Sequence, residues 1–385
     1  MNSSSPSFRV SFLDLPLRHS RHIEEYSKEL VNQISSSDFI LGTGTQRFED
    51  SIREILGQDF LTCGNCTDAL FISLKFIFSR LPPHKREVII SPMSYLATVS
   101  TVILAGGVPH FVDVDDSLNI DPLKLVEALS KNTAAIMVVH LGGIPADMEA
   151  ITRFATDNGL EVIEDCAQAF SSMIGNKPVG TFGLSGCFSF HPLKIFGGCG
   201  DGGGVTSKDN TFLDYAKRAR NHGHNSRDDV DFFSHNMRMD SLNARFLTVQ
   251  LATVESEISH RIRLRERYRR NFESFGLTNR YIKVPSVRNS ARVSYNFAMF
   301  RFSKRDSLKQ FLEVQGIETR IHYPNLLSNL KPFRENHAQK ILSDLQFAEK
   351  AVNEILSLPC ASHLEENDID TISVKIAEFY ELDLG

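Results

Sequence analysis

The chain has 385 residues, 42% hydrophobic and 23% charged, with a formal net charge of -5. That length suits two domains sharing a sizeable core, and the scattered lysines and arginines form no basic stripe for nucleic acid or an anionic membrane. No apolar run approaches the roughly 20 residues of a membrane span, the start MNSSSPSFRVSFLDLPLRHS has no apolar signal-peptide core, and six cysteines in so long a chain suggest reduced thiols in a cytoplasmic protein.

Beyond the Ser-rich first residues there is no low-complexity stretch and no internal repeat. Thr45 to Leu56 is amphipathic, and Thr67 to Phe78 is an apolar helix with a Thr-Asp cap signal. Glu87 to Ile90 reads as a strand ending at Ser91-Pro92, and Ala97 to Ala105 as a helix closed by Gly106-Gly107. Val108 to Asp113 is a strand, and Asp121 to Leu129 a helix opened by Asp-Pro. Ala134 to Leu141 is a largely apolar strand, and Asp147 to Asp157 a helix closed by Asn158-Gly159. Strands follow at Leu160 to Ile163, Gly186 to Phe190 and Gly204 to Ser207. This alternation predicts an α/β fold, a mainly parallel sheet covered by helices on both faces. Such sheets bind ligands at the carboxyl ends of their strands, and Ser94, Tyr95, Asp165 and Lys194 fall at or just past strand ends. From Ser241 to about Arg270 the pattern is one long helix. A strand at Phe297 to Phe302 follows, then a helix from Asp306 to Gln315 before Gly316, and a terminal helix from the cap Asn367 to Phe379. These elements predict a smaller C-terminal α+β domain, dividing the chain into residues 1–250, the larger ligand-binding domain, and residues 251–385, which contain most of the connecting helix.

The run from Cys187 to Gly204, CFSFHPLKIFGGCGDGGG, carries Lys194 into a glycine-rich loop between two short strands. An apolar pocket lowers a lysine's pKa, making the amine a nucleophile able to form a Schiff base with an aldehyde. Upstream, at roughly the length of one βαβ unit, Val162-Ile-Glu-Asp165 reads as a strand ending in a carboxylate. Pyridoxal 5'-phosphate requires both parts: a lysine for its aldehyde and an acid for its ring nitrogen. Cys63-Gly-Asn-Cys66 has the spacing of a zinc or redox site, but no second ligand pair follows, so no metal is expected. The cluster Gly197 to Gly204 fits no nucleotide-binding fingerprint and reads as a flexible turn.

Taken together, these residues resemble the nucleotide-sugar aminotransferase family of DegT/StrS type, a branch of the fold type I pyridoxal-phosphate enzymes. The resemblance runs from Phe12-Leu-Asp-Leu to Leu356-Ser-Leu-Pro359. It includes Phe39-Ile-Leu-Gly42, Asn65-Cys-Thr-Asp-Ala-Leu70, Val112-Asp-Val-Asp115, His140-Leu-Gly-Gly-Ile-Pro-Ala-Asp-Met148, Glu164-Asp-Cys-Ala-Gln168, Phe188-Ser-Phe-His-Pro-Leu-Lys194, Asn221-His-Gly223, Asn236-Met-Arg-Met-Asp240 and Ile321-His-Tyr-Pro324.

The resemblance assigns roles. Lys194 carries the cofactor and moves the proton, and Asp165 holds the ring nitrogen. Cys66 and Thr67 lie at a helix start, where free N–H groups and the dipole suit a phosphate, and Ser189 can add a hydroxyl. Cys66 stands where the family usually has glycine, so its side chain is expected to crowd the phosphate. Tyr95 stacks on the ring, and Gln168 covers the ring or its hydroxyl. Asn236 reaches a neighbouring subunit's phosphate, implying a homodimer with shared active sites, and Arg238, two residues on, binds substrate. His322 and Tyr323 line the sugar side.

The implied reaction moves an amino group from glutamate to a keto-sugar on a nucleotide. Gly200-Asp-Gly-Gly203 resembles members that aminate C3, while the His-Pro before Leu193-Lys194 looks more like the C4 branch; the lean is to C3 of a 3-keto-6-deoxyhexose. Aminocyclitol transaminases share these motifs. A dehydratase of this family would carry histidine in place of Lys194. A non-catalytic regulator remains as the third alternative.

Overall fold

The structure is a computed structural model describing residues 8–335 and 340–382; the Ser-rich start lies outside them. Eight strands form the main sheet, in the order Asp59–Cys63, Gly203–Ser207, Ser185–Ser189, Glu161–Asp165, Thr133–Val139, Glu87–Ile90, Val108–Phe111 and Ile341–Leu342. Gly203–Ser207 runs antiparallel to both its neighbours, and the other strand pairs are parallel.

Successive side chains of a strand face opposite ways, and the cores follow that rule. Val88, Ile90, Ala135 and Met137 pack with the helices Cys66–Arg80, Leu96–Leu104 and Asn210–Ala219. Ile89, Ile136 and Val138 pack on the other face with the helix Met148–Asp157. Every residue of Thr133–Val139 is buried, as expected for a strand covered on both faces.

Several boundaries differ from expectation for local reasons. The cap of Cys66–Arg80 is Asn65, whose side chain accepts from Asp68 N, so Thr67 is inside the helix. The Asp-Pro segment is a 3-10 helix, Pro122–Ala128, that buries Leu125 and Ala128, three residues apart. The helix expected from Asp306 begins at Arg305, after Lys304 in the left-handed region. The terminal helix begins at Glu366, which puts Asn367 in its first turn.

A second core surrounds the three-stranded sheet Ile282–Lys283, Ala298–Phe302 and Ile355–Leu358, with Tyr268 and Phe272 of the helix Ser241–Ser274 packed against Phe300. The division expected at residue 250 falls inside this uninterrupted helix. Val10 from the N-terminal segment packs into this second core, and the chain re-enters the large sheet where Ile341 pairs with His110. All six cysteines are unpaired, and among the described residues no helix is long and apolar enough to cross a membrane.

Candidate active site

Lys194 sits on a loop between the antiparallel strands Ser185–Ser189 and Gly203–Ser207. The loop closes on itself through Phe190 N to Gly202 O and Gly198 N to Phe190 O, each 2.8 Å. Three distant side chains hold it: Arg18 donates to the Lys194 carbonyl at 2.9 Å, Asn296 accepts from Ile195 N at 2.9 Å, and Asn243 accepts from Cys199 N at 3.1 Å. Behind it Phe190 and Phe196 pack with Phe48 and Phe170. Gly197 and Gly198 serve close approach rather than unusual torsion. A Cβ at Gly198 would stand 2.3 Å from Asn243 Oδ1, and one at Gly197 2.5 Å from His191 O.

A cleft of about 550 Å³ opens over this loop at the carboxyl ends of the strands, lined by Cys66, Thr67, Tyr95, Asp165, Gln168, Ser189, Lys194, His322 and Tyr323 among others. Lys194 is half-buried, and its amine has no hydrogen-bond or ion-pair partner among the described residues. Burial pulls its pKa down, and Asp165 opposes that shift. Asp165 is 5% exposed. Its Oδ2 accepts from Thr98 Oγ1 at 2.8 Å and its Oδ1 from Ala167 N at 3.2 Å. Burial raises its pKa, against the pull of those hydrogen bonds and of Lys194. A buried carboxylate is costly unless a cation or hydrogen bonds compensate it, and Asp165 has no ion-pair partner among the described residues.

At one end of the cleft the helix from Cys66 presents its first turn. Those N–H groups have no intrahelical acceptor; Asn65 takes that of Asp68, and those of Cys66 and Thr67 remain. Gly203 must be glycine here, because a Cβ would stand 2.4 Å from Cys66 N. The Cys66 thiol is buried and turned inward, 3.9 Å from Asp165 Oδ1. The crowding expected from this side chain is thus directed at the carboxylate. Asp68 also lines the cleft, and burial pushes its pKa up to about 6.

On the opposite wall His322 stacks on Phe297, ring centroids 3.6 Å apart, and shares a 2.8 Å hydrogen bond with Ser357 Oγ. Burial, then Arg320 and Lys194, pull its pKa down to about 3, so the ring is neutral. Tyr323 lies beside Gln168, which accepts from Gly142 N at 2.8 Å. Tyr95 is 62% exposed, an apolar ring facing open space. Two expected residues lie elsewhere. Asn236 is exposed and bonded to Arg238 Nε at 2.9 Å, and Arg238 lines a separate groove of about 900 Å³ with Arg218, Arg227, His222 and His224. These two are not brought to the chain's own cleft. Sequence reasoning missed Thr98 and Arg320; Arg320 immediately precedes Ile321-His-Tyr-Pro324, and Thr98 follows Tyr95 by one helical turn.

A buried trio, His140, Glu164 and Cys166, has donor atoms within 4.8 Å of one another. Glu164, however, already accepts from Gly180, Phe182 and Gly183 N at 2.7–2.8 Å as well as meeting His140 Nε2 at 3.2 Å. Its lone pairs are committed to the backbone, so the trio reads as structural.

The cleft residues fit pyridoxal phosphate. An unpartnered lysine amine, a buried acid lacking a cation and a helix start with spare N–H groups beside the hydroxyls of Thr67 and Ser189 line one space. Comparisons with known proteins agree. A sequence model of the DegT/DnrJ/EryC1/StrS aminotransferase family matches residues 21–377. A Geobacillus stearothermophilus protein named as a pleiotropic regulatory protein is 34% identical, covering 96% of this chain and 98% of its own. The UDP-2-acetamido-2-deoxy-3-oxo-D-glucuronate aminotransferase of Pseudomonas aeruginosa is 30% identical, covering 95% and 98%. A solved family aminotransferase from Brucella abortus superimposes with a TM-score of 0.89 at 29% identity, covering 96% of this chain and 99% of that one.

Proposed function

This chain belongs to the DegT/DnrJ/EryC1/StrS aminotransferase family, whose members are pyridoxal-phosphate-dependent transaminases, and from that premise we propose that it moves the amino group of glutamate to a keto-sugar carried on a nucleotide. One observation carries the reading: the unpartnered Lys194 amine and the buried, unpaired Asp165 carboxylate share one cleft.

When bound, pyridoxal phosphate supplies an aldehyde for amine exchange and a ring that delocalises the electrons left by loss of a proton from carbon. The protein does the rest. Lys194 Nζ would hold the cofactor through its aldehyde and, displaced by the incoming donor amine, would take the proton from the donor Cα as general base and deliver that same proton as general acid; an amine whose pKa is lowered by burial suits both roles. Asp165 holds a proton on the ring nitrogen. The N–H groups of Cys66 and Thr67, with the Thr67 and Ser189 hydroxyls, hold the phosphate. Tyr95 stacks on the ring, and Gln168 covers it or its hydroxyl. His322, as a neutral ring, and Tyr323 line the acceptor side, beside Arg320, whose guanidinium is paired with Glu318 at 2.9 Å. Asn236 and Arg238 serve a second subunit's site, so the working unit is a homodimer with shared active sites.

The acceptor position is C3 in this reading. Gly200-Asp-Gly-Gly203 supports it, as does the P. aeruginosa relative, which is named for a 3-oxo sugar. The test is to incubate the enzyme with glutamate and nucleotide-linked 3-keto and 4-keto sugars and to locate the new nitrogen by NMR. Amination at C4 overturns the position; no amination of either class overturns the acceptor. The relative named as a regulator favours a second reading, a cofactor-loaded regulator, which requires that the protein bind cofactor and turn over no acceptor.

A further inference from the structure

Asp165 is held by a chain of buried hydroxyls that the reaction as described does not use. Ser94 Oγ and Thr98 Oγ1 are 2.7 Å apart, and Thr98 Oγ1 lies 2.8 Å from Asp165 Oδ2. Thr98 is fully buried and Ser94 2% exposed, so water cannot replace either donor. A hydroxyl has one proton to donate, and an ionised carboxylate only accepts. Thr98 must therefore donate to Asp165, its oxygen must accept from Ser94, and every dipole points at the carboxylate. Hydrogen bonds aligned in series strengthen one another, and those ending on a charge are the stronger kind. The two oxygens of Asp165 are treated unequally. Oδ2 takes the short bond from this chain as its one donor, and Oδ1 takes two longer ones, from Ala167 N at 3.2 Å and from the weak donor Cys66 Sγ at 3.9 Å.

We propose that Ser94 and Thr98 are positioning residues: a two-step hydroxyl relay that anchors Asp165 through Oδ2 and fixes the orientation of the carboxylate toward the cofactor's ring nitrogen. The placement follows from one helix start. Tyr95 caps the helix Leu96–Leu104, and Thr98 N donates to Tyr95 O at 3.1 Å. The turn that carries Tyr95 thus also carries the hydroxyl that orients the acid. The inference rests on the reading that Asp165 is the ring-nitrogen partner.

The experiment is equilibrium binding of pyridoxal phosphate to the apo protein, with the absorbance of the bound cofactor followed against pH. The proteins are wild type, Thr98→Val, Thr98→Ser, Ser94→Ala, Asp165→Asn and the double variant Thr98→Val/Asp165→Asn. The other titratable groups facing the carboxylate, Lys194, His140, Cys66, Cys166, Cys187 and Tyr323, are common to all. Thr98→Val should weaken binding about tenfold, the equivalent of one hydrogen bond to a charge. It should also lower the pH at which the ring nitrogen loses its proton. Thr98→Ser should restore both, and Ser94→Ala, which leaves the helix intact, should give a smaller change in the same direction. In the Asp165→Asn background Thr98→Val should add nothing. An unchanged affinity and titration in Thr98→Val overturns the relay, as does an equal loss from Thr98→Val in the Asp165→Asn background, which would mark mere packing. If Asp165→Asn alone binds and titrates like wild type, the reading of Asp165 fails and the relay falls with it.

Discussion

Arg18 donates to the backbone carbonyl of Lys194 at 2.9 Å, across 176 residues of sequence. The same guanidinium reaches Pro192 O at 3.3 Å and Glu257 at 3.7 Å, and it is 4% exposed. The first described helix, Leu15–Ser20, is thereby a clamp on the loop that carries the amine. Arg18→Ala should remove the clamp and leave Glu257 buried without its cation, a loss of about 3–5 kcal/mol for a broken buried pair. Thermal unfolding of the apo protein should show a clear drop in Tm, with weaker cofactor binding. An unchanged Tm would deny Arg18 that role.

Lys194 should be the residue labelled. Borohydride reduction of the loaded enzyme, followed by peptide mapping, should place one pyridoxyl group on Lys194. Lys194→Ala should fold, bind cofactor reversibly and lose turnover. Label on another lysine would remove the basis of the assignment.

Cys66 provides a steric test. Its thiol occupies the space beside Asp165 Oδ1, so Cys66→Gly should retain cofactor and activity, with the helix start loosened by about 0.5–1 kcal/mol. Cys66→Leu has no room without displacing Asp165 and should bind cofactor much more weakly. Equal dissociation constants for cysteine and leucine would show that this side chain does not border the cofactor.

His322 predicts an acid-side instability. Its pKa falls from 6.5 to about 3 on folding, so between those values the unfolded chain binds more protons than the folded one. Stability therefore falls as pH drops from 6.5 toward 3, by at most about 1.4 kcal/mol per pH unit from this group. His322→Asn should flatten that part of the Tm-versus-pH curve. Parallel curves for the two proteins would contradict a half-buried imidazole held neutral.

Shared sites predict complementation. Inactive Lys194→Ala mixed with a strongly impaired Asn236→Ala should regain part of the activity, because a hybrid dimer contains one site intact in both respects. Full activity of a monomer at high dilution would exclude the arrangement.

What can be read from the residues, and what cannot, divides along contact distance. Glu87–Ile90 is bounded as expected because a β-branched run ends at Ser-Pro. Lys194 and Asp165 are legible because side-chain chemistry and strand ends are local properties. Asp59–Cys63 escapes sequence reading: five residues with uneven burial give no clean period, and the strand exists because Gly203–Ser207 pairs with it. Thr98 and Arg18 look like an ordinary helix threonine and a surface arginine until the fold brings partners 67 and 176 residues away beside them. Cys66 lies at the expected helix start but beside a different neighbour, since the direction of a side chain at a first turn depends on the strand beneath it.

The helix Ser241–Ser274, at 34 residues, is about 50 Å long. Near its start Asn243 holds the lysine loop on both sides, accepting from Cys199 N and donating to Asp201 O. Near its end Tyr268 Oη donates to Pro359 O and Arg267 pairs with Asp370. The helix thus joins the smaller sheet to the lysine loop through one continuous element held at both ends. The position of the amine is therefore tied, through hydrogen bonds to the loop backbone at one end and side-chain contacts at the other, to residues far from the cleft.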